Sequence, residues 1–126
     1  MPADIQFDDL DGLSVARVRG EVDMSNAQEL GATLQNAVEH VSAGLVIDFS
    51  TTEYLDSAGL HFVFDLGKRL RDRGQRLHLV VPAGSPVASV LEIVNVESLA
   101  PCSRTLDEAL EKLREHAADV PPTEPA

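Results

Sequence analysis

Leu45-Val46-Ile47-Asp48-Phe49-Ser50-Thr51-Thr52-Glu53-Tyr54-Leu55-Asp56-Ser57-Ala58-Gly59-Leu60 passes from an apolar run, through a polar stretch, into the start of a helical pattern. Leu45 to Phe49 lacks the alternation of a half-exposed strand, so it reads as a central strand covered on both faces. Ser50 to Asp56 reads as a polar turn. From Leu60, apolar residues recur at helical spacing through Val63, Phe64, Gly67 and Leu70, until Arg73-Gly74 supplies a C-terminal glycine signal. A buried strand, a loop and a helix beginning near Ser57 are the building unit of a parallel α/β sheet.

On the N-terminal side, Ile5-Gln6-Phe7 and Leu13 to Gly20 alternate apolar and polar residues around Asp11-Gly12, which predicts a hairpin of two antiparallel strands. Ala27, Leu30, Leu34, Ala37, Val38 and Val41 then mark a helix, with Ser25 as cap, Gln28 three residues on, and an end near Gly44. On the C-terminal side, Leu77 to Val81 reads as a strand stopped by Pro82, and Ser85-Pro86 opens a helix with Val87, Val90, Leu91 and Val94 on its stripe. A short edge strand is expected around Leu99-Ala100. Thr105 and Glu108 make a capping box ahead of Leu106, Ala109, Leu110 and Leu113. The order predicts one α/β domain over residues 1–117, a mixed, mostly parallel central sheet with an N-terminal antiparallel hairpin and about four helices. Residues 118–126, with their prolines, read as a disordered tail.

The chain of 126 residues suits a single core. Lys and Arg number 10 against 21 Asp and Glu, and the net charge of −11 disfavours direct contact with nucleic acid or anionic membrane. The same excess suits a partner with a basic face, or simply solubility. Cys102 is the only cysteine, which excludes an internal disulfide and a cysteine zinc cluster. Met1 to Asp4 shows no basic region leading into an apolar run, and no stretch approaches the ~18 apolar residues of a membrane span. A cytoplasmic protein is expected.

Asp56-Ser57-Ala58-Gly59-Leu60 stands where strand, loop and helix start meet, which puts Ser57 at or within the first helical turn. Helix-terminal N–H groups and the positive end of the dipole can accept an added phosphate with little damage to the fold. A phosphoserine brings about −1.5 to −2 charges and three acceptor oxygens, so a partner docked there would meet new bulk and repulsion. Position alone favours a plainer reading, that Asp56 or Ser57 is an N-cap worth about 1 kcal/mol.

From Ile5 to Glu115 the chain resembles the STAS domain of anti-sigma-factor antagonists. The resemblance rests on Gly20-Glu21-Val22-Asp23, on Val46 to Ser50 followed by Tyr54-Leu55-Asp56-Ser57-Ala58-Gly59-Leu60, and on Thr105 to Leu110, the middle segment being the specific one. It implies a STAS-like fold and a protein that catalyses nothing and needs no cofactor. It also implies that the unphosphorylated chain binds an anti-sigma factor serine kinase and frees the sigma factor. Phosphorylation of Ser57 by that kinase ends the binding, and a serine phosphatase reverses it. Asp23, Met24, Ser25, Asp56, Ala58, Gly59, Leu60 and His61 are the partner-binding residues this resemblance implies.

Other chemistries fit less well. A nucleophile elbow would need glycine where Leu55 stands, and His61 and His78 have no evident orienting carboxylate in the sequence. Asp23, Asp48 and Asp56 could hold a hard cation as in receiver domains, but the paired acids after a first strand and the late lysine are missing. His40, His61, His78 and His116 have no ligand spacing, and Gly20, Gly31, Gly44 and Gly59 are too isolated for a phosphate loop. The nearest rival keeps the fold and makes the chain a fixed adaptor in a lipid transporter or stress-sensing complex.

Overall fold

The computed structural model describes residues 3–10, 13–38, 44–93 and 100–119. Its elements run β1 (Asp4–Leu10), β2 (Leu13–Val22), α1 (Ala27–Val38), β3 (Gly44–Asp48), β4 (Thr52–Leu55), α2 (Ser57–Asp72), β5 (Arg76–Val80), α3 (Pro86–Ile93), β6 (Cys102–Ser103) and α4 (Leu106–Asp119). β1 and β2 form the expected antiparallel hairpin, with Leu10 opposite Leu13. Asp11-Gly12 itself lies outside the described residues. β2, β3, β5 and β6 then pair in parallel, giving the order β1-β2-β3-β5-β6, with β4 on β2.

Strand alternation sends successive side chains to opposite faces of this sheet. Ala16, Val18, Leu45, Ile47, Leu77 and Leu79 pack in the larger cluster with Leu30 and Leu34 of α1, Leu66 and Leu70 of α2, and Val87 and Leu91 of α3. Leu13, Val15, Val46 and Val80 meet Ala109, Leu110 and Leu113 of α4 on the other face. β3 is buried at every position, as a strand between two helical layers must be.

Several expectations require correction. The polar segment Ser50 to Asp56 is not all turn: Thr52–Leu55 forms β4, parallel to the end of β2, with Val22 opposite Leu55. The Thr52 hydroxyl donates to the Val18 carbonyl at 2.7 Å in a buried position, so a residue that looks turn-like in sequence completes a strand edge. β2 pairs with β3 up to Arg17 and with β4 from Gly20, the register against β4 shifts between Gly20 and Glu21, and Gly20, at φ 91°, takes the backbone conformation that other residues resist.

Ser25 does not cap α1. Its hydroxyl donates to Asp23, and the Asn26 carbonyl accepts the first helical bond, from Leu30 N at 3.0 Å. The described helix ends at Val38, and Val41 and the stretch up to Gly44, where β3 begins, lie outside the described residues. The edge strand forms at Cys102–Ser103 rather than Leu99-Ala100: Leu99 is outside the described residues, and Ala100 is buried beside the strand. Val94 is likewise undescribed. The capping box of α4 is seen in one direction, Glu108 N donating to Thr105 Oγ1 at 3.2 Å. α4 carries the chain through Ala118 to Asp119, and the remaining tail lies outside the described residues.

Candidate functional site

β4 is what assembles the site. Because Val22 pairs with Leu55, and Asp56 N donates to the Val22 carbonyl at 3.2 Å, the two chain segments leaving β2 and β4 emerge side by side at one end of the sheet. The first is the loop Asp23-Met24-Ser25-Asn26, and the second is the start of α2. Residues far apart in sequence thus share one surface.

Each segment is held by an aspartate. Asp56 is the N-cap of α2: its Oδ1 accepts from Ala58 N at 3.0 Å and from Gly59 N at 3.2 Å, and its own carbonyl accepts from Leu60 N. Asp23 Oδ1 accepts from the Ser25 amide at 2.9 Å and from the Ser25 hydroxyl. Those bonds, the hydroxyl first, hold the Asp23 carboxyl below the usual carboxylate range, so it is ionised at neutral pH. Asn26 locks the loop from inside, accepting from Asp23 N at 3.0 Å and donating to the Glu21 carbonyl at 2.8 Å.

Ser57 is exposed as the first residue of α2. Met24 is 82% exposed and Ser25 is exposed, while Asp23, Asp56 and Ala58 are half-buried. The side chain of His61 is 81% exposed, and its Nε2 lies 3.8 Å from Asp65 Oδ2 one turn on, an orienting carboxylate that sequence reading did not find. Two residues expected to touch a partner lie in the core instead. Leu60 is 6% exposed, and a Cβ added to Gly59 would come within 2.3 Å of Leu55 Cδ1 and 3.0 Å of Val22 Cγ1. They anchor the first turn of α2 against β2 and β4, and Gly59 is there because nothing larger fits.

Sequence reading missed the neighbouring groove between α1 and α2. Its volume is about 500 Å³, and it is lined by Met24, Ala27, Gln28, Gly31, Ala32, Gln35, Ala58, His61, Phe62 and Asp65. Small residues at one-turn spacing on α1 were its only local signal. Nothing in α1 alone tells which helix stands opposite.

The other chemistry-bearing residues are spent on structure. Asp48 accepts from Ser50 N at 2.9 Å and from the Ser50 hydroxyl, and lies 3.8 Å from Arg17, which in turn bonds Asp8 at 2.8 Å. His78 is buried and shares a 2.7 Å hydrogen bond with Ser103 Oγ, remote in the sheet from Ser57. Among the described residues, no group of three or more His, Cys, Asp or Glu side chains is placed to hold a metal ion. No helix among them is long and apolar enough to cross a membrane.

A mixed sheet with helices on both faces, displaying a serine where one helix leaves an edge strand, defines the class of fold seen in solved anti-sigma factor antagonists. The crystal structure of such an antagonist from Mycobacterium paratuberculosis matches with a TM-score of 0.77 at 30% identity, covering 90% of this chain and 95% of that one. The chain belongs to the STAS domain family, whose model matches residues 4–109. BtrV of Bordetella bronchiseptica, which carries the name anti-sigma factor antagonist, is 32% identical over 107 residues, 83% of this chain and 90% of its own length. The anti-sigma-F factor antagonist RsfB of Mycobacterium tuberculosis is 28% identical over 107 residues, 84% of this chain and 85% of its own.

Proposed function

We propose that this chain is an anti-sigma factor antagonist that binds an anti-sigma factor serine kinase when unphosphorylated and leaves it when Ser57 is phosphorylated. The display of Ser57 carries the reading. It is exposed on a turn that Asp56 caps and that Gly59 and Leu60 fasten to the core, beside the Asp23 loop. A kinase can therefore reach the hydroxyl without unfolding the helix.

In the transfer, the γ-phosphoryl group of ATP forms a new bond to Ser57 Oγ, ADP leaves, and the hydroxyl proton passes to the kinase. The phosphate then stands next to Asp56 and close to the ionised Asp23. A partner docked on Met24, Ser25, Ala58 and His61 meets added bulk and charge in a desolvated interface, at a cost of several kcal/mol, while the same group facing water costs little. A cytoplasmic serine phosphatase resets the chain. The site needs no cofactor and leaves the catalysis to its partners.

Incubation with the kinase and ATP, followed by mass spectrometry and pull-down of both forms, tests this. One phosphate on Ser57 with loss of the pull-down is the expected result. Ser57→Ala should stay bound, and Ser57→Asp should bind at least tenfold more weakly with an unchanged melting curve. Wild-type affinity in both variants overturns the switch, and undiminished binding without any phosphate points to a fixed adaptor.

A further inference from the structure

The phosphate that this reading places on Ser57 needs a counter-charge, and the surroundings offer few. Asp56 already occupies the Ala58 and Gly59 amides, the helix-terminal donors a phosphate would otherwise use. The loop Asp23 to Asn26, α1, β4 and α3 contain no Lys, Arg or His at all. They contribute Asp23, Glu29 and Glu53 instead. On α2 itself, Lys68 is the nearest fixed cation, and at 1.5 Å per residue it lies about 16 Å further along the helix.

His61 remains. It stands four residues after Ser57, so the two side chains are neighbours on one helical face. Asp65 follows after four more, its Oδ2 3.8 Å from His61 Nε2. The groove lining across from His61 is Met24 of the Asp23 loop and Gln28, Gly31, Ala32 and Gln35 of α1, none of them titratable. We infer that His61 is the counter-charge of the phosphorylated switch: its side chain pairs with the phosphate on Ser57 across one helical turn. The inference rests on the functional reading above, and it gives the modified site a basic partner on its own helix that α1, β4 and α3 do not supply.

The test installs phosphoserine at position 57 through an expanded genetic code, so the outcome does not depend on finding a kinase. Phosphorus NMR follows the titration of that phosphate in the otherwise wild-type chain, in His61→Ala and in His61→Lys. The wild-type midpoint should lie about 0.3 pH unit below that of His61→Ala, the size of an i,i+4 ion pair. His61→Lys should restore the lowered midpoint, and ~1 M salt should shrink the difference. Coincident midpoints in wild type and His61→Ala, or a lysine variant that matches alanine, overturn the inference. The exposed position of His61 makes misfolding a poor explanation for either result. If a kinase modifies Ser57 and the midpoints coincide, the pairing fails and the switch stands. If no kinase modifies Ser57 but the midpoints differ as stated, the switch fails and the pairing stands.

Discussion

The two faces of the sheet are built on different scales. Under α1, α2 and α3 lies a wholly apolar cluster that reaches from Val22 to Leu91 and includes Phe49, Phe62 and Leu34. Under α4 the cluster is smaller, and the same face of β5 carries His78, hydrogen-bonded to Ser103. The site belongs to the first face. A surface meant to accept a charged group without rearranging is best set on elements whose positions are over-determined by packing. The α4 face has no such duty and tolerates a buried polar pair.

Truncation in each core is the sharpest way to break this comparison. Leu34→Ala removes a fully buried side chain from the larger cluster and should cost about 3–5 kcal/mol, whereas Leu113→Ala under α4 should cost about 2–3 kcal/mol because fewer neighbours enclose it. Urea unfolding measures both, and an equal or larger loss for Leu113→Ala would remove the distinction between the faces.

The next effect is confined to the α4 face. Burial, helped by Lys112 and Arg76 and opposed by Glu108, depresses the His78 imidazole from 6.5 to about 4. The unfolded chain therefore binds a proton that the folded one refuses. The stabilisation is fully present above pH 6.5 and is lost as pH falls toward 4, on the order of 3 kcal/mol in all. Unfolding free energies at pH 7 and pH 4.5 should fall further in wild type than in His78→Gln. Parallel falls would mean that the imidazole is not held neutral by its burial.

Smallest are the caps. Asp56→Ala and Thr105→Ala remove comparable bonds from the starts of α2 and α4, and each should cost about 1 kcal/mol by thermal unfolding. Only Asp56→Ala should also slow phosphorylation of Ser57, since it loosens the turn that presents the hydroxyl. Equal phosphorylation rates in the two variants would mean that cap geometry does not matter to the kinase.

Much of this architecture was legible in residue order. The run Leu45 to Phe49, the hairpin around Asp11-Gly12 and the helices starting near Ser57, Pro86 and Leu106 are local patterns of hydrophobic period and capping, which short stretches of chain encode. The misses share a cause. Thr52 to Tyr54 is polar and short, and it becomes a strand because the exposed end of β2 needs a partner. The resemblance put Gly59 and Leu60 on a partner surface, yet a helix turns 100° per residue, and both lie on the face of α2 that the core takes.

By itself, the sequence determined the fold class, the helix start at Ser57 and the Asp-Ser-Ala-Gly segment that marks the family. Each of these is written in residues a few places apart. Only the tertiary structure decided that the Asp23 loop stands beside Ser57, that α1 and α2 leave a groove, and that Asp56 rather than Ser57 holds the amides. These depend on the parallel pairing of β2 with β4 and on which faces the core has already taken. Such long-range choices follow from burial of the whole sheet rather than from any local stretch.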